Sequence, residues 1–241
     1  SSSPFTLGKN DKRHRVFSRQ ARDAGVPLIY VNNVGIQNNG KTVYTFDGCS
    51  TVYGRNGDTL LHCPPFEEQL AYLFFEELQL AQATSAVRVP DDRGIDSIYS
   101  CLRYGIESFL EQTGLAKMVI GVSGGIDSAV AAALYAHILK PANVLLVNMP
   151  SQYNSPTTIS LAHQLAENLG CRYVEIPIGE SVDLTVRQIA AAGLSLTAFM
   201  RENVQARDRS SRILAAAAAA FGGAFTCNAN KSEMTVGYCT L

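Results

Sequence analysis

The second half of the chain alternates short apolar runs with longer amphipathic stretches. The short runs are dominated by Val, Ile and Leu, and the longer stretches repeat apolar residues at helical spacing between Ser, Pro or Gly boundaries. In chain order the pattern predicts helix, strand, helix, strand, helix and strand over residues 95–113, 117–122, 126–139, 144–148, 156–169 and 172–176. Strands that alternate with helices are typical of a parallel sheet, so we expect an α/β fold.

The first half has a different texture, in which β-branched and aromatic runs are separated by turn residues. Strands are predicted over residues 27–31, 42–46, 50–53 and 59–61. Residues 64–93 carry prolines and many acidic side chains, which indicates a connector. We therefore place a domain boundary near Val87, with domains over residues 1–86 and 87–241.

A glycine-rich loop comes after the strand predicted at residues 117–122 and opens the next helix. Gly124 and Gly125 let the backbone approach an anion, and the positive end of the helix faces the same anion. This arrangement favours the phosphates of ATP, with Asp127 holding a bridging Mg²⁺. The predicted ATP-binding residues of the loop are Gly121, Val122, Ser123, Gly124, Gly125, Ile126, Asp127 and Ser128. The plainer alternative is an ordinary strand-to-helix turn with a Ser or Asp cap.

A second glycine segment also matches a phosphate-binding pattern. Residues 35–42 have two glycines separated by four spacers, followed by Lys41 and Thr42, as in a P-loop. A working P-loop opens a helix, whereas the residues that come after Lys41 are β-branched and aromatic. Asn38-Asn39-Gly40 is typical of a hairpin turn. We therefore predict a hairpin and no nucleotide site.

Composition and charge exclude several classes of partner. The 241 residues carry 20 basic and 21 acidic side chains, a formal charge of -1, which gives no broad field for nucleic acid or an anionic membrane. The longest uninterrupted apolar run, residues 213–221, is too short to span a bilayer. The six cysteines include no CxxC pair, which favours a reducing, cytoplasmic location. We expect no nucleic acid partner and no membrane association.

Four stretches carry a resemblance to a known family. Residues 123–128 look like the signature of the N-type ATP pyrophosphatases, which adenylate a substrate and release pyrophosphate. Residues 201–209 and 228–238 resemble two blocks of the NAD⁺ synthetases. Residues 1–68 are similar to the closing part of the nitrilase-type glutaminase domain fused to glutamine-using NAD⁺ synthetases. The resemblance implies a parallel-sheet adenine nucleotide α-hydrolase-like (PP-loop) domain, preceded by the β-rich remnant of a nitrilase-like α/β sandwich.

The resemblance implies a carbon–nitrogen ligase that makes NAD⁺. Such an enzyme uses ATP to adenylate deamido-NAD⁺, and ammonia then displaces AMP; in intact enzymes the ammonia comes from glutamine. ATP is implied as the co-substrate, Mg²⁺ as the cofactor and a homo-oligomer, at least a dimer, as the assembly. From the loop alone, another PP-loop ATP pyrophosphatase, such as an RNA-thiolating enzyme, remains the alternative.

The resemblance also implies roles for individual residues. Asn203, Arg207 and Glu233 match positions that contact deamido-NAD⁺, and Asp127 and Glu233 match metal ligands. Asn228 matches an ATP-facing position, where many relatives have a threonine. The alternatives are a solvated helix face for Asn203 and Arg207, and a glutamate that favours a helix start for Glu233.

In the first half, Ser3 and Lys9 match positions that contact glutamine, and their alternative is a loop serine and a solvated lysine. The Glu-Lys-Cys triad of that glutaminase would lie upstream of Ser1, so no glutaminase catalytic residue is assigned. Tyr153 and Tyr238 are candidates to stack on a base or to pack. We expect a fragment of a longer enzyme, truncated at both ends, with a catalytically incomplete nucleotide-binding remnant as a further alternative.

Overall fold

The computed structural model describes residues 1–40, 42–74, 76, 78, 87–152 and 154–236, with the backbone alone at Lys231 and Met234. Lys41, Tyr153 and Tyr238 lie outside the described residues. Contacts divide the chain into two compact units, Ser1–Thr113 and Gly114–Leu241. In the part of the chain described, no helix has the length and apolar composition needed to cross a membrane.

The N-terminal unit combines antiparallel β-structure with helices. Its elements are α1 (Lys9–Ala24), β1 (Leu28–Tyr30), β2 (Val34–Asn38), β3 (Val43–Asp47), β4 (Thr51–Tyr53), β5 (Thr59–His62) and α2 (Ile95–Thr113). Strands β1, β4 and β5 form one sheet in the order β1-β4-β5, and β2 pairs with β3. The strands predicted in this half are confirmed.

The hairpin of β2 and β3 occupies the segment with the P-loop pattern. The two strands pair from Val34 opposite Asp47 to Asn38 opposite Val43. Gly40 lies in the turn with φ 83°, and its N–H donates to the Asn38 side chain at 2.8 Å. A strand is found where a P-loop needs a helix, so the predicted hairpin is confirmed.

The sequence analysis predicted no helix at the position of α1, whose sequence is strongly basic. Gly8 stands at its N-cap without a side chain, and the carboxylate of Asp92 instead accepts the Asn10 N–H at 2.7 Å. Arg13 forms an ion pair with Asp47 at 2.7 Å, with only 7% and 3% of the two side chains exposed. Partners distant in sequence therefore hold this helix.

Helix α2 packs closely on the hairpin, since a Cβ added to Gly105 would lie 2.7 Å from the Thr45 hydroxyl oxygen. The compact division accordingly falls after α2, beyond the boundary expected near Val87. The domain ranges 1–86 and 87–241 stay a prediction about sequence modules.

The C-terminal unit is built around a parallel sheet. Its elements are β6 (Met118–Gly121), α3 (Ile126–Leu139), β7 (Val144–Asn148), α4 (Pro156–Leu169), β8 (Arg172–Glu175), α5 (Gly179–Ala191), α6 (Ala198–Arg207), a π-helical segment (Asp208–Leu214), α7 (Ala215–Phe221), β9 (Ala224–Phe225) and α8 (Lys231–Val236). The elements predicted up to residue 176 are confirmed to within one residue. Ser155 caps α4 by accepting the Thr158 N–H at 3.2 Å.

The sheet has the order β8-β7-β6-β9, and all neighbouring strands are parallel. Alternate residues of the central strands are buried on opposite faces, as the strand period requires. Val119 and Leu145 join a cluster completed by α5, the π-helical segment and α7. Ile120 and Leu146 join a cluster completed by α3 and α4. The expected α/β fold with a parallel sheet is confirmed.

The strand order places a switch point beside β6. The sheet grows from β6 through β7 to β8, and the chain then returns to add β9 on the other side of β6. In open parallel sheets, ligands bind beyond the carboxyl ends of the strands at such a reversal. The loops after β6 and β9 are therefore the place to seek a site.

Candidate functional site

The glycine loop, residues 123–128, connects β6 to α3. Gly124 adopts φ 84°, in the region that favours glycine. A Cβ added to it would collide with the Thr158 carbonyl oxygen and lie 2.9 Å from the Thr158 carbonyl carbon. The first turn of α4 thus presses on the loop, and only glycine fits this position.

The start of α3 carries no side-chain cap, which argues against the plainer alternative of a capped turn. Gly125 occupies the N-cap position in an extended conformation, without a side-chain hydrogen bond to the helix. Backbone N–H groups at an uncapped helix start attract an anion. Ser123, Gly125, Ile126 and Asp127 are exposed on this loop, so a ligand can approach it.

The two serines hold the loop in shape. The buried Ser128 hydroxyl donates to the Gly125 carbonyl at 3.0 Å and accepts the Ser123 N–H at 3.3 Å. Val122 is also buried, and its N–H donates to the Val147 carbonyl at 2.9 Å. Among the predicted ATP contacts, Val122 and Ser128 therefore support the loop from beneath, and the Ser123 hydroxyl lies at the surface.

The segment after β9 runs alongside the glycine loop. The Thr226 N–H donates to the Val119 carbonyl at 3.1 Å, which continues the pairing of β9 with β6. The side-chain amide of Asn228 donates to the Gly121 carbonyl at 3.0 Å, and the side-chain oxygen of Asn228 accepts a hydrogen bond from the Thr226 hydroxyl at 2.7 Å. Asn228 is thus brought to the predicted site and fixes the end of β6.

Asn230 links the two predicted metal ligands. Its side-chain N–H donates to Asp127 at 3.3 Å, and its side-chain oxygen accepts the Glu233 N–H at 2.9 Å. The Glu233 carboxylate accepts the Asn230 N–H at 2.9 Å, which completes a capping box at the start of α8. Glu233 therefore has the helix-start role given as its alternative, and Asn230 also connects it to Asp127.

The donor set can be tested against magnesium. The described residues contain no group of three or more His, Cys, Asp or Glu arranged to hold a metal ion. Mg²⁺ is usually bound through one or two carboxylates, with substrate phosphates and water completing its shell. Asp127 and Glu233, joined through Asn230 beside an anion-attracting helix start, fit that pattern.

Asn203 and Arg207 lie one turn apart on α6. The Asn203 amide donates to the Phe199 carbonyl at 3.2 Å, and Arg207 is exposed in the last turn. They share a helix face, as i and i+4 positions do. Their predicted role toward a dinucleotide stays a prediction.

The neighbouring arginines are not simply solvated. Arg201 pairs with Asp183 at 2.6 Å, and Arg212 pairs with Asp208 at 2.6 Å. Hydrogen bonds from Arg212 hold the pKa of Asp208 below its usual value, against the opposing effect of burial. Arg209 instead donates through Nε to the Met149 carbonyl, at 3.2 Å, where β7 ends.

The sequence analysis missed Asn230 and Arg209 as residues of the site. Asn230 stood inside a recognised block, three residues before Glu233, and that capping-box spacing was the available signal. The partner of Arg209 is a main-chain carbonyl 60 positions away, which leaves no signal in the local sequence.

Ser3 and Lys9 lie close together in the N-terminal unit. The side chain of Asn32 accepts the Ser3 N–H at 2.9 Å and donates to its carbonyl at 3.0 Å. Arg13 donates to the same carbonyl at 2.8 Å. The Lys9 ammonium group donates to the Pro4 carbonyl at 3.1 Å, so it is tied to its own loop. Their predicted contact with glutamine stays a prediction.

Comparison with known proteins gives consistent findings. The sequence model of the NAD synthase family matches residues 98–241. A glutamine-dependent NAD(+) synthetase from Synechocystis sp. is 36% identical over 251 residues, a match that covers 100% of this chain and 42% of the relative. The chain thus spans less than half the length of that relative.

Solved structures resemble the chain as well. The glutamine-dependent NAD+ synthetase of Acinetobacter baumannii, in complex with adenosine diphosphate, aligns with a TM-score of 0.82 and 30% identity over 100% of this chain and 45% of that one. The NH3-dependent NAD synthetase of Campylobacter jejuni, in complex with the nitrate ion, aligns with a TM-score of 0.55 and 30% identity. That alignment covers 60% of this chain and 61% of the other.

Proposed function

We propose, because this chain belongs to the NAD synthase family, that its C-terminal unit binds ATP with Mg²⁺ and serves the ATP-dependent amidation of deamido-NAD⁺ to NAD⁺. The observation that carries the proposal is the glycine loop. It combines a glycine-only turn with an uncapped helix start at the switch point of a parallel sheet. The A. baumannii relative, solved with adenosine diphosphate, supports an adenine nucleotide as ligand.

The first step is formation of an adenylate. An oxygen of the nicotinate carboxylate attacks the α-phosphorus of ATP, and the bond from that phosphorus to the bridging oxygen of pyrophosphate breaks. The glycine loop and the start of α3 hold the leaving pyrophosphate through backbone N–H groups. In the second step, the nitrogen of ammonia attacks the carbonyl carbon, the bond to AMP breaks, and a proton is released with the amide product.

Asp127 and Glu233 would hold the magnesium ion. When bound, Mg²⁺ supplies positive charge that offsets the charge growing on pyrophosphate. Asn230 orients both carboxylates through its side-chain and main-chain hydrogen bonds. Asn228 keeps the end of β6 in place beneath the phosphates.

The remaining assignments rest on the family. Asn203, Arg207 and Glu233 bind deamido-NAD⁺, for which a guanidinium suits a pyrophosphate or carboxylate group. Ser3 and Lys9 contact glutamine, the source of ammonia in a longer enzyme that carries the Glu-Lys-Cys triad. The protein acts in the cytoplasm as a homo-oligomer, with neither nucleic acid nor a membrane as partner.

The test is pyrophosphate release by the 241-residue chain with Mg-ATP and ammonium, with and without deamido-NAD⁺. We expect release that depends on the dinucleotide, formation of NAD⁺, and loss of both in Asp127→Asn. Release that is indifferent to the dinucleotide would favour another PP-loop ATP pyrophosphatase instead.

A second candidate is a nucleotide-binding polypeptide that does not turn over. It would use the same glycine loop to bind phosphates. This candidate predicts binding of ATP and deamido-NAD⁺ without pyrophosphate release.

A further inference from the structure

The π-helical segment Asp208–Leu214 contacts the ends of both central strands. Arg209 reaches the carbonyl of Met149, the first residue after β7. Leu214 packs under Gly121, the last residue of β6, because a Cβ added there would lie 3.3 Å from Leu214 Cδ1 and 3.0 Å from Met149 Cε. One short segment therefore holds the carboxyl ends of β6 and β7 together.

The β7 loop, residues 149–151, leaves the sheet between fixed points. The carbonyl of Pro150 accepts the Ile178 N–H at 3.0 Å, and the Ser151 N–H donates to the Asn154 side chain at 2.9 Å. Arg209 adds the anchor at Met149 from a helical segment distant in the sequence. The start of this loop is thus fixed by a side chain rather than by the strand ladder.

The chemistry of Arg209 differs from that of its neighbours. Arg212, in the same segment, is half-exposed and satisfied by the Asp208 carboxylate. Arg209 is partly buried, and that burial lowers its pKa, although Asp208 offsets part of the effect. Among the described residues, the partner of its Nε is a neutral carbonyl. A partly buried guanidinium whose Nε donates to a neutral carbonyl holds that carbonyl in position.

Position matters here because of the neighbouring strand. β7 lies beside β6, so the β7 loop emerges at the same edge of the sheet as the glycine loop. Under the proposed function the glycine loop holds the phosphates of ATP, so the nucleoside of the bound nucleotide extends over an adjacent loop. We propose that Arg209 is a positioning residue for the nucleoside part of an adenine nucleotide, acting through the β7 loop without touching the ligand.

This inference rests on the proposed function, and its test separates the two. Binding of Mg-ATP and of Mg-tripolyphosphate, which lacks the nucleoside, is measured by calorimetry on the full chain. Arg209→Met removes the donor and keeps an apolar stem, Arg209→Gln restores a neutral N–H donor, and Arg212→Met removes a charge from the same segment. Amide exchange at Ser151 reports the order of the β7 loop directly.

We expect Arg209→Met to weaken Mg-ATP binding about tenfold, as loss of one charge-assisted hydrogen bond would. Tripolyphosphate binding should change by at most about twofold, and exchange at Ser151 should accelerate. Arg209→Gln should recover most of the loss because its amide can donate to Met149, and Arg212→Met should bind ATP as the unaltered chain does.

Equal losses for both ligands in Arg209→Met and Arg209→Gln would overturn the inference, since they would report charge attraction alone. Unchanged ATP binding in Arg209→Met would overturn it too, while the proposed function stood. Failure of the unaltered chain to bind Mg-ATP would overturn both.

Discussion

Two glycine segments of this chain match phosphate-binding patterns, and the fold uses them in opposite ways. In the first segment, residues 35–38 belong to β2, which forms a hairpin with β3, and Gly40 has φ 83° and open space around it. Residues 123–128 join a parallel strand to a helix, and Gly124, with φ 84°, is pressed against α4. The same glycine conformation closes a surface turn in one case and lets a helix approach a loop in the other.

The difference lies in the element that comes after the glycine. After Gly40 the chain leads into the antiparallel strand β3, whose N–H groups that face β2 are used by the ladder. After Gly125 the chain forms α3, whose first N–H groups have no side-chain cap. A phosphate pattern therefore has chemical meaning only when its flanking elements leave N–H groups to offer.

The largest expected effect comes from adding one methyl group to the glycine loop that joins β6 to α3. Gly124→Ala should lower the affinity for Mg-ATP by about a hundredfold or more, because the Cβ collides with the main chain of Thr158 and the backbone is also strained. Binding is measured by calorimetry, with the unfolding transition as a check on folding.

Gly40→Ala is the matched control for that change. It places the same residue at nearly the same φ without a neighbour within 4 Å, so it should cost roughly 1–2 kcal/mol of stability and leave ATP binding intact. Equal losses of binding in the two variants would remove the distinction between the loops.

The elements around the glycine loop were predictable because their signals are local. Apolar runs bounded by turn residues gave β6, β7 and β8, and Ser155 before a proline gave the start of α4. Helix α1 was missed because its support is distant: Asp92 caps it from 82 residues away, and Asp47 neutralises Arg13.

Parts of the site were also hidden, for the same physical reason. Strand β9 has two residues, and its pairing with β6 spans more than a hundred positions, yet it brings Asn228 and Asn230 to the loop. No local pattern predicts so short a strand. The predicted residues Asp127 and Glu233 are nonetheless connected through Asn230, and Asn228 bonds separately to the end of β6.

The second prediction concerns the charged residue of each pattern. Asp127→Asn should raise the Mg²⁺ concentration needed for half-maximal ATP binding about tenfold, because one of the two carboxylates that would hold the ion becomes neutral. Lys41→Met, at the lysine of the P-loop pattern, should leave ATP binding unchanged. Binding is titrated with Mg²⁺ at fixed ATP, and a loss in Lys41→Met would restore the hairpin as a nucleotide site.

The third prediction tests the support that the glycine loop receives from Asn230, in the segment after β9. Asn230→Ala removes both the cap of α8 and the hydrogen bond to Asp127. We expect it to weaken the binding of Mn²⁺, used as a paramagnetic probe for the magnesium site, about fivefold, since loss of a helix cap costs about 1 kcal/mol. Asn230→Ser keeps a cap acceptor but is too short to reach Asp127. Electron paramagnetic titration with Mn²⁺ should place it between Asn230→Ala and the unaltered chain; identical affinities in all three would show that Asn230 is only a helix cap.

The smallest expected effect concerns the stability at acid pH of the π-helical segment Asp208–Leu214, which contacts the carboxyl ends of β6 and β7. The pKa of Asp208 in the folded chain lies below its usual value because Arg212 and Ser181 donate hydrogen bonds to the carboxylate. Protons therefore bind more tightly to the unfolded chain, so this stabilisation is fully present above the usual pKa of about 4 and is lost as the pH falls through the lowered one.

Arg212→Met should accordingly cost roughly 0.5–1 kcal/mol of unfolding free energy at pH 6, the range for a half-exposed ion pair, and the cost should shrink as the pH falls below about 4. Urea unfolding at a series of pH values measures it. The hairpin has no part in this pair, so Gly40→Ala should carry a cost that is the same at each pH. If the cost of Arg212→Met stayed constant down to acid pH, the charge of the Asp208 carboxylate would contribute nothing to the free energy of unfolding.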